Sequence, residues 1–323
     1  MVSRRLLRIK ILKALYGHFK SGDKTINASE KELFQSIEKT YDLYHYIMQL
    51  LVEVADYAQS RIDIGKQKYL PSPEEKNPNT KFVDNIIVRQ LRRNEQLNKR
   101  LHQNSLSWEN NPELIKKLYM NMLSKPYYKA YMADSGRSFE QDQAFALEFF
   151  WNEIEDFEDL YQILEDQSIY WIDDVEFELG MIIKTIKKFK EDQPSYTSLM
   201  PLYKDNADYE FTKRLFRKST VNHLEYRQIV DEYTSNWDVE RIAYMDILIM
   251  IEAIAELIEF KEMPIKISMN EFIELSKLFS TPNSSTFVNG VLDKVVKSLT
   301  EKGVIVKEGL GLVEPPVEAQ EEE

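Results

Sequence analysis

Two stretches near the end of this 323-residue chain decide its fold. The first is Pro264-Ile265-Lys266-Ile267-Ser268-Met269-Asn270-Glu271-Phe272-Ile273-Glu274-Leu275-Ser276-Lys277, and the second is Phe287-Val288-Asn289-Gly290-Val291-Leu292-Asp293. Around the second, Val288, Val291, Leu292, Val295 and Leu299 recur every three or four residues, the period of a helix that buries one stripe. Ahead of it, Ser280-Thr281-Pro282-Asn283-Ser284-Ser285-Thr286-Phe287 reads as the turn that opens this helix. In the first stretch Ser268 and Glu271 have capping-box spacing, and Pro264 can equally begin the helix at its first position. Upstream, Asp238 is a good N-cap that sets Trp237 and Ile242 at hydrophobic-staple positions, so Trp237 reads as structural. Gly290 inside a helix costs about 1 kcal/mol relative to alanine, and close packing against a neighbouring helix is its expected reason.

Working outward, the chain stays helical. Ser3 is a candidate N-cap for a first helix to about Phe19, ended by Ser21-Gly22. A long helix from about Ser29 to Lys66 carries Leu33, Ile37, Tyr41, Tyr44, Met48 and Leu51 at helical spacing. A further helix is predicted over 82–102, and Asn111-Pro112-Glu113 opens the next, with a break before Pro126. Residues 138–183 read as an acidic pair of helices, about 139–165 and 168–190. No segment of strand period and no internal repeat occurs. The fold class is therefore all-α.

Composition bounds the function. The chain has no cysteine, which excludes disulfides, thiolate catalysis and Cys-ligated metal sites. No apolar run reaches the length of a membrane span, and no secretory core follows Met1-Val2-Ser3-Arg4-Arg5, so a cytoplasmic location is expected. His18, His45, His102 and His223 are isolated, and no phosphate-binding glycine loop or nucleophile elbow is present. Glu148, Glu155, Glu158, Glu165 and Glu176 invite a di-metal carboxylate reading, but the Glu-x-x-His pairs such bundles use are missing. We therefore expect no enzyme, no metal and no cofactor; the enzyme alternative would require a metal or cofactor in the purified protein.

The net charge of −12 is unevenly spread. Residues 1–20 hold six basic side chains (Arg4, Arg5, Arg8, Lys10, Lys13, Lys20) and no acid. Residues 138–183 hold fourteen acids and no Lys or Arg, so the rest of the chain is +2 (−12 less −14). Salt screens exposed charges over about 8–10 Å, so local sign decides phosphate binding. Arg4 and Arg8 share a helix face with Arg5 beside them, while Ile9, Leu12 and Tyr16 form the stripe expected to dock the helix. Guanidinium groups bind phosphates bidentately and stack on unpaired bases, which suits single-stranded RNA. Taken alone, such a cluster reads first as a solvated basic face.

The order Trp237, Glu256-Leu257, Pro264, Asn270-Glu271 and Phe287-Val288-Asn289-Gly290-Val291-Leu292-Asp293 resembles the C-terminal half of the transcription antitermination factor NusB family. Ser3-Arg4-Arg5-Leu6-Leu7-Arg8 through Ala14-Leu15-Tyr16 is similar to that family's arginine-rich first helix. The resemblance covers roughly residues 1–20 and 205–300 and implies a NusB-like helical bundle with a large helical insertion after the first helix. On that reading 1–20 plus 205–302 form an RNA-binding core, 21–204 the insertion, acidic in 138–183, and 303–323 a disordered acidic tail.

The resemblance further implies a factor that binds boxA-type single-stranded RNA together with NusE, a ribosomal small-subunit protein. The pair would act in the RNA polymerase antitermination complex during ribosomal RNA transcription. It assigns RNA contact to Arg4, Arg5, Arg8, Lys10, Lys13, Ser285, Phe287 and Asn289, and partner contact to Tyr16, Glu240 and Asp246. Taken alone, Phe287 reads as a core aromatic at the edge of its stripe, and Glu271 as structural. The chain departs from the family at Ile251 and Ala255, where an arginine and a tyrosine are usual. The alternative is a protein–protein adaptor that kept the fold without RNA binding.

Overall fold

The structure is a computed structural model that describes residues 2–192, 197–234 and 242–313. All regular elements among them are helical, and the chain divides into two compact units. Val2–Ile37 joins the chain from Tyr203 onward in a terminal unit; Glu38–Leu202 forms a middle unit. The chain opens with α1 (Arg4–Ser21) and α2 (Ile26–Lys66). The Ser3 hydroxyl caps α1 by accepting from the Leu6 amide at 3.1 Å, and Gly22 ends it at φ 72°, where a side chain would be strained.

The middle unit packs the rest of α2 with α3 (Pro73–Lys76), α4 (Ile86–Arg93), α5 (Glu95–Gln103), α6 (Pro112–Ser124), α7 (Pro126–Ala133), α8 (Phe139–Ile154), α9 (Glu158–Gln167) and α10 (Val175–Ile186). Its core is aromatic: Tyr46 stacks on Trp108 with ring centres 3.7 Å apart, and the Trp108 indole donates to the Tyr46 carbonyl at 2.9 Å. Two of its expected helices are broken. The predicted helix 82–102 divides at Asn94, whose amide N–H bonds the Leu91 carbonyl while its side chain accepts from Leu97 N, so one residue closes α4 and opens α5. The acidic block forms α8, α9, a 3-10 turn (Ile172–Asp174) and α10 rather than two long helices. The break after α8 turns Phe157 onto the core. Phe149, Phe150 and Trp171 are buried, whereas Trp151 is 59% exposed.

The terminal unit adds α11 (Asn206–Val221), α12 (His223–Thr234), α13 (Tyr244–Glu259), α14 (Ile265–Phe279) and α15 (Ser284–Glu301). Leu6, Leu7, Ile11, Leu12 and Leu15 of α1 are buried, so the docking stripe lies one step round from the Ile9–Leu12–Tyr16 line; Tyr16 is 42% exposed. Pro264 sits just outside α14 in extended conformation, which puts Ser268 and Glu271 inside the helix and removes the capping box. A Cβ on Gly290 would meet nothing within 4 Å, so close helix packing is not its reason. Trp237 and Asp238 lie outside the described residues.

Residues 303–313 are ordered rather than tail. Ile305 is buried, and the Lys307 ammonium donates to the carbonyls of Leu257 (2.9 Å) and Phe260 (3.0 Å) at the end of α13. A cation there satisfies carbonyls with no intrahelical partner and complements the helix dipole. Residues 314–323 lie outside the described residues. Gly311 passes so close to the α13–α14 loop that a Cβ would stand 2.0 Å from the Lys261 carbonyl oxygen. Gly311→Ala should therefore destabilise the terminal unit by about 1–3 kcal/mol, the usual cost of overpacking, read as a lowered thermal midpoint; an unchanged midpoint would show that this segment does not bear on the fold.

Candidate nucleic-acid and partner interface

The arginines of α1 do not all face solvent. Arg8 is 2% exposed, and its Nε and Nη2 each donate at 2.7 Å to the two oxygens of Glu256 on α13. Glu256 also accepts from the Ser268 hydroxyl at 2.6 Å, and Arg8 lies over the rings of Phe211 and Phe272. Arg8 is thus a buried pin between helices, which corrects its reading as a phosphate contact. Lys10, at 3% exposure, is likewise buried.

Arg4 and Arg5 remain about half exposed, yet both are held. Arg4 donates to Asp208 at 3.1 Å, and Arg5 makes two bonds to Glu271, at 2.8 and 2.9 Å. The Arg5 bond holds the Glu271 carboxyl below its ordinary pKa, against the opposing effect of partial burial. The Arg5–Glu271 pair is exposed, and such pairs contribute only about 0–1 kcal/mol, so a phosphate can compete for that guanidinium, whereas the Asp208 carboxylate that holds Arg4 is buried. Arg4, Arg5, Phe211, Arg214, Phe260 and Ile267 border an open groove of about 1190 Å³.

Further along α1, Lys13 lies 5.4 Å over the ring of Phe279, the last residue of α14. Arg5 meets Glu271 and Lys13 meets Phe279, eight residues on along both helices, so α1 and α14 run side by side in parallel. Lys13 therefore stands beside the turn that opens α15. That helix has no side-chain cap on its first-turn amides, and Ser285, Phe287 and Asn289 are half-buried there. Uncapped amides at a helix N-terminus suit an anion.

Of the residues assigned to a protein partner, Tyr16 is exposed and makes an edge contact with Tyr244, over which the Lys20 ammonium sits at 4.4 Å. Asp246 is buried and accepts from the Ser284 hydroxyl at 2.7 Å, joining the starts of α13 and α15; it is a structural residue, not a contact surface. Glu240 lies outside the described residues. Ile251 and Ala255, where the chain departs from the family pattern, are both buried. Among the described residues no three His, Cys, Asp or Glu side chains are grouped to hold a metal, and no helix is long and apolar enough to cross a membrane.

The pairing of Arg8 escaped sequence reading because its partner lies 248 residues away. One signal was present: Glu252 and Glu256, four apart in the apolar run of α13, are both fully buried. Only Glu256 is compensated. Neither oxygen of Glu252 has a hydrogen-bond partner, and burial, reinforced by the Glu256 charge and opposed by Arg8, raises its pKa well above the ordinary carboxylate value.

The sequence profile described as the NusB family matches residues 179–297. The protein called transcription antitermination protein NusB in Salinibacter ruber is 39% identical over 114 residues, covering 35% of this chain and 71% of that protein. Its namesake in Chloroherpeton thalassium is 41% identical over 111 residues, 34% of this chain and 53% of that one. The namesake in Natranaerobius thermophilus is 30% identical over 94 residues, 29% and 68% respectively. No solved structure matches.

Two measurements test the buried charges. Arg8→Gln leaves Glu256 buried and uncompensated, which should cost about 3–5 kcal/mol of stability, and the double variant Arg8→Met/Glu256→Leu should recover much of it; equal loss in both would mean that the ion pair itself is not the issue. For Glu252 the folded pKa is raised above the unfolded one, so its contribution is present below about pH 4.5 and is lost as pH rises above that value, until the folded carboxyl itself ionises. Glu252→Leu should thus raise stability near neutral pH and flatten its fall with pH in denaturant titrations; a variant less stable at pH 7 would contradict a neutral, unsatisfied carboxyl.

Proposed function

The chain belongs to the NusB family, whose members are non-enzymatic regulators of transcription, and we propose that it is a transcription antitermination factor. In this reading it binds boxA-type single-stranded RNA together with the NusE ribosomal protein and acts on RNA polymerase during ribosomal RNA transcription, in the cytoplasm. The observation that carries it is the approach of Lys13 to Phe279, which supports a shared surface of α1 cations and the opening of α15. Arg4, Arg5 and Lys13 supply the positive charge. Ser285, Phe287 and Asn289 supply the amide end, a ring for base stacking and polar groups. Tyr16, with Tyr244 and Lys20, is the patch for the protein partner. Each ligand orders the surface the other uses, so RNA affinity should be weak alone and stronger with NusE.

A second reading has an observation of its own. Arg4, Arg5 and Arg8 each already hold a carboxylate, which suits an adaptor of this fold that binds protein without RNA. Titration of boxA-type RNA with and without NusE separates the two.

Replacing Arg4, Arg5 and Lys13 with glutamine should weaken RNA binding without lowering the melting temperature appreciably. Three phosphate contacts correspond to a salt slope shallower by about 2, from roughly −0.7 per contact on a single strand. A triple variant that binds as wild type does would favour the adaptor. Phe287→Ala should lose about 1–3 kcal/mol of RNA affinity if the ring stacks on a base; a large fall in melting temperature at unchanged affinity would instead identify a core residue.

A further inference from the structure

The middle unit brings together two basic segments that lie about 95 residues apart in sequence. Residues 86–93 (Ile-Ile-Val-Arg-Gln-Leu-Arg-Arg) and 184–190 (Lys-Thr-Ile-Lys-Lys-Phe-Lys) hold seven cations and no acid between them. The Gln90 side chain donates to the Lys190 carbonyl at 2.7 Å, which sets the end of the second segment against α4. From α8, Gln143 donates to the Ile186 carbonyl at 2.9 Å and holds the same end in place. Arg89 and Arg93 are therefore carried within about one helical turn of the point where Lys190 is fastened.

These cations differ from those of α1. Arg92 pairs with Asp56, but Arg89, Arg93, Lys187, Lys188 and Lys190 are exposed and pair with no carboxylate among the described residues. Like charges four apart on a helix, as Arg89 and Arg93 are, oppose its formation slightly. The helix C-termini beside Arg93, Lys187 and Lys188 return only about 0.3–1 kcal/mol per cation, so helix stability does not by itself account for the cluster. Asp84, Glu95, Glu191 and Asp192 flank the two segments, and Asp84 and Asp142 line a small pocket with Arg89. Asp84 pairs with Arg137 and Asp142 accepts from the Ile86 amide, so neither forms an ion pair with Arg89. Its apolar residues Ile87, Val88, Leu91, Ile186 and Phe189 are buried, so nothing there inserts into lipid or forms the apolar centre of a protein interface. What remains is unpaired positive charge on a folded surface, and that by itself suffices to bind a phosphate backbone through counterion release.

We propose that this face, Arg89, Arg93, Lys187, Lys188 and Lys190, is a second RNA-binding surface that contacts phosphates without reading sequence. The inference rests on the RNA-binding reading above, and assigns to the middle unit a share of the same ligand. The test compares the full-length wild-type chain with two variants on an unstructured 40-nucleotide RNA carrying a boxA-type sequence. One variant replaces Arg89, Arg93, Lys187, Lys188 and Lys190 with glutamine, and the other replaces Arg5 and Lys13. If three of the five cations engage phosphates at once, the first variant should bind about 100-fold more weakly at 0.1 M salt, with a salt slope shallower by about 2. Lys187→Gln/Lys188→Gln alone should lose a smaller part of the same effect, and all variants should melt as wild type does. Unchanged affinity and slope in the five-residue variant overturns the proposal. Loss in that variant with none in Arg5→Gln/Lys13→Gln upholds it and removes the α1 site instead. Wild type that binds no RNA at low salt overturns both. Binding to vesicles containing 30% phosphatidylserine that disappears in the five-residue variant, with RNA binding intact, would make this a membrane face and overturn it.

Discussion

Arg8 and Glu256 meet in a wholly buried, bidentate ion pair, and the terminal unit is arranged around it. Burying either charge alone is strongly unfavourable, so α1 can dock only where its guanidinium reaches the α13 carboxylate. Ser268 fixes the orientation of Glu256 from α14, the Met263 sulfur meets Arg8 from the loop between α13 and α14, and the rings of Phe211 and Phe272 enclose the guanidinium. Five residues from four parts of the chain thus converge on one cation. Replacing such a pair by apolar residues often costs little or even stabilises; what the pair supplies here is register, because a helix slipped by one position leaves both charges unmatched.

That register sorts the basic side chains of α1 into two sets. With Arg8 turned inward, Lys10 is buried too, while Arg4, Arg5 and Lys13 stay on the accessible side. It also sets α1 parallel to α14, so that Lys13 arrives beside the turn that opens α15, and Tyr16 and Lys20 arrive beside Tyr244 at the start of α13. The Asp246–Ser284 hydrogen bond ties the beginnings of α13 and α15 together at the same end. The RNA and protein surfaces proposed above therefore lie on neighbouring parts of one end, an arrangement that suits two ligands that favour each other's binding.

The middle unit handles its acids in two ways. Asp142 and Asp174, both buried, are used internally: Asp142 accepts from the Ile86 amide and the Tyr131 hydroxyl, and Asp174 accepts from the Thr40 hydroxyl. The majority, including Glu155, Asp156, Glu158 and Asp159, are exposed. Exposed acids of α8, α9 and the turn between them, and unpaired cations of α4 and of the segment after α10, thus belong to the same unit, and averaging its charge conceals both. A phosphate backbone responds to the local field and not to the sum.

Much of the fold was legible in the sequence, because helical periodicity and caps act over a few residues. Ser3, Gly22 and Pro112 stand where the helix ends require them, and the stripe from Val288 to Leu299 is buried as its spacing demands. The all-α class and the family followed from such local signals. Asn94, which ends one helix and begins the next, shows their limit, since its side chain bonds equally well inside a longer helix's surface or at a break. The fate of each charge was decided only in three dimensions. Arg4, Arg5 and Arg8 look alike along the chain; Glu256, Glu271 and Asp208, more than 200 residues away, make the first two surface groups and the third a core residue. Likewise Lys190 is brought to α4 only in the folded chain, where the Gln90 side chain holds its carbonyl. Local propensity is a property of a few adjacent residues and can be read in order, whereas desolvation and ion pairing depend on what the folded chain brings to within a few ångströms.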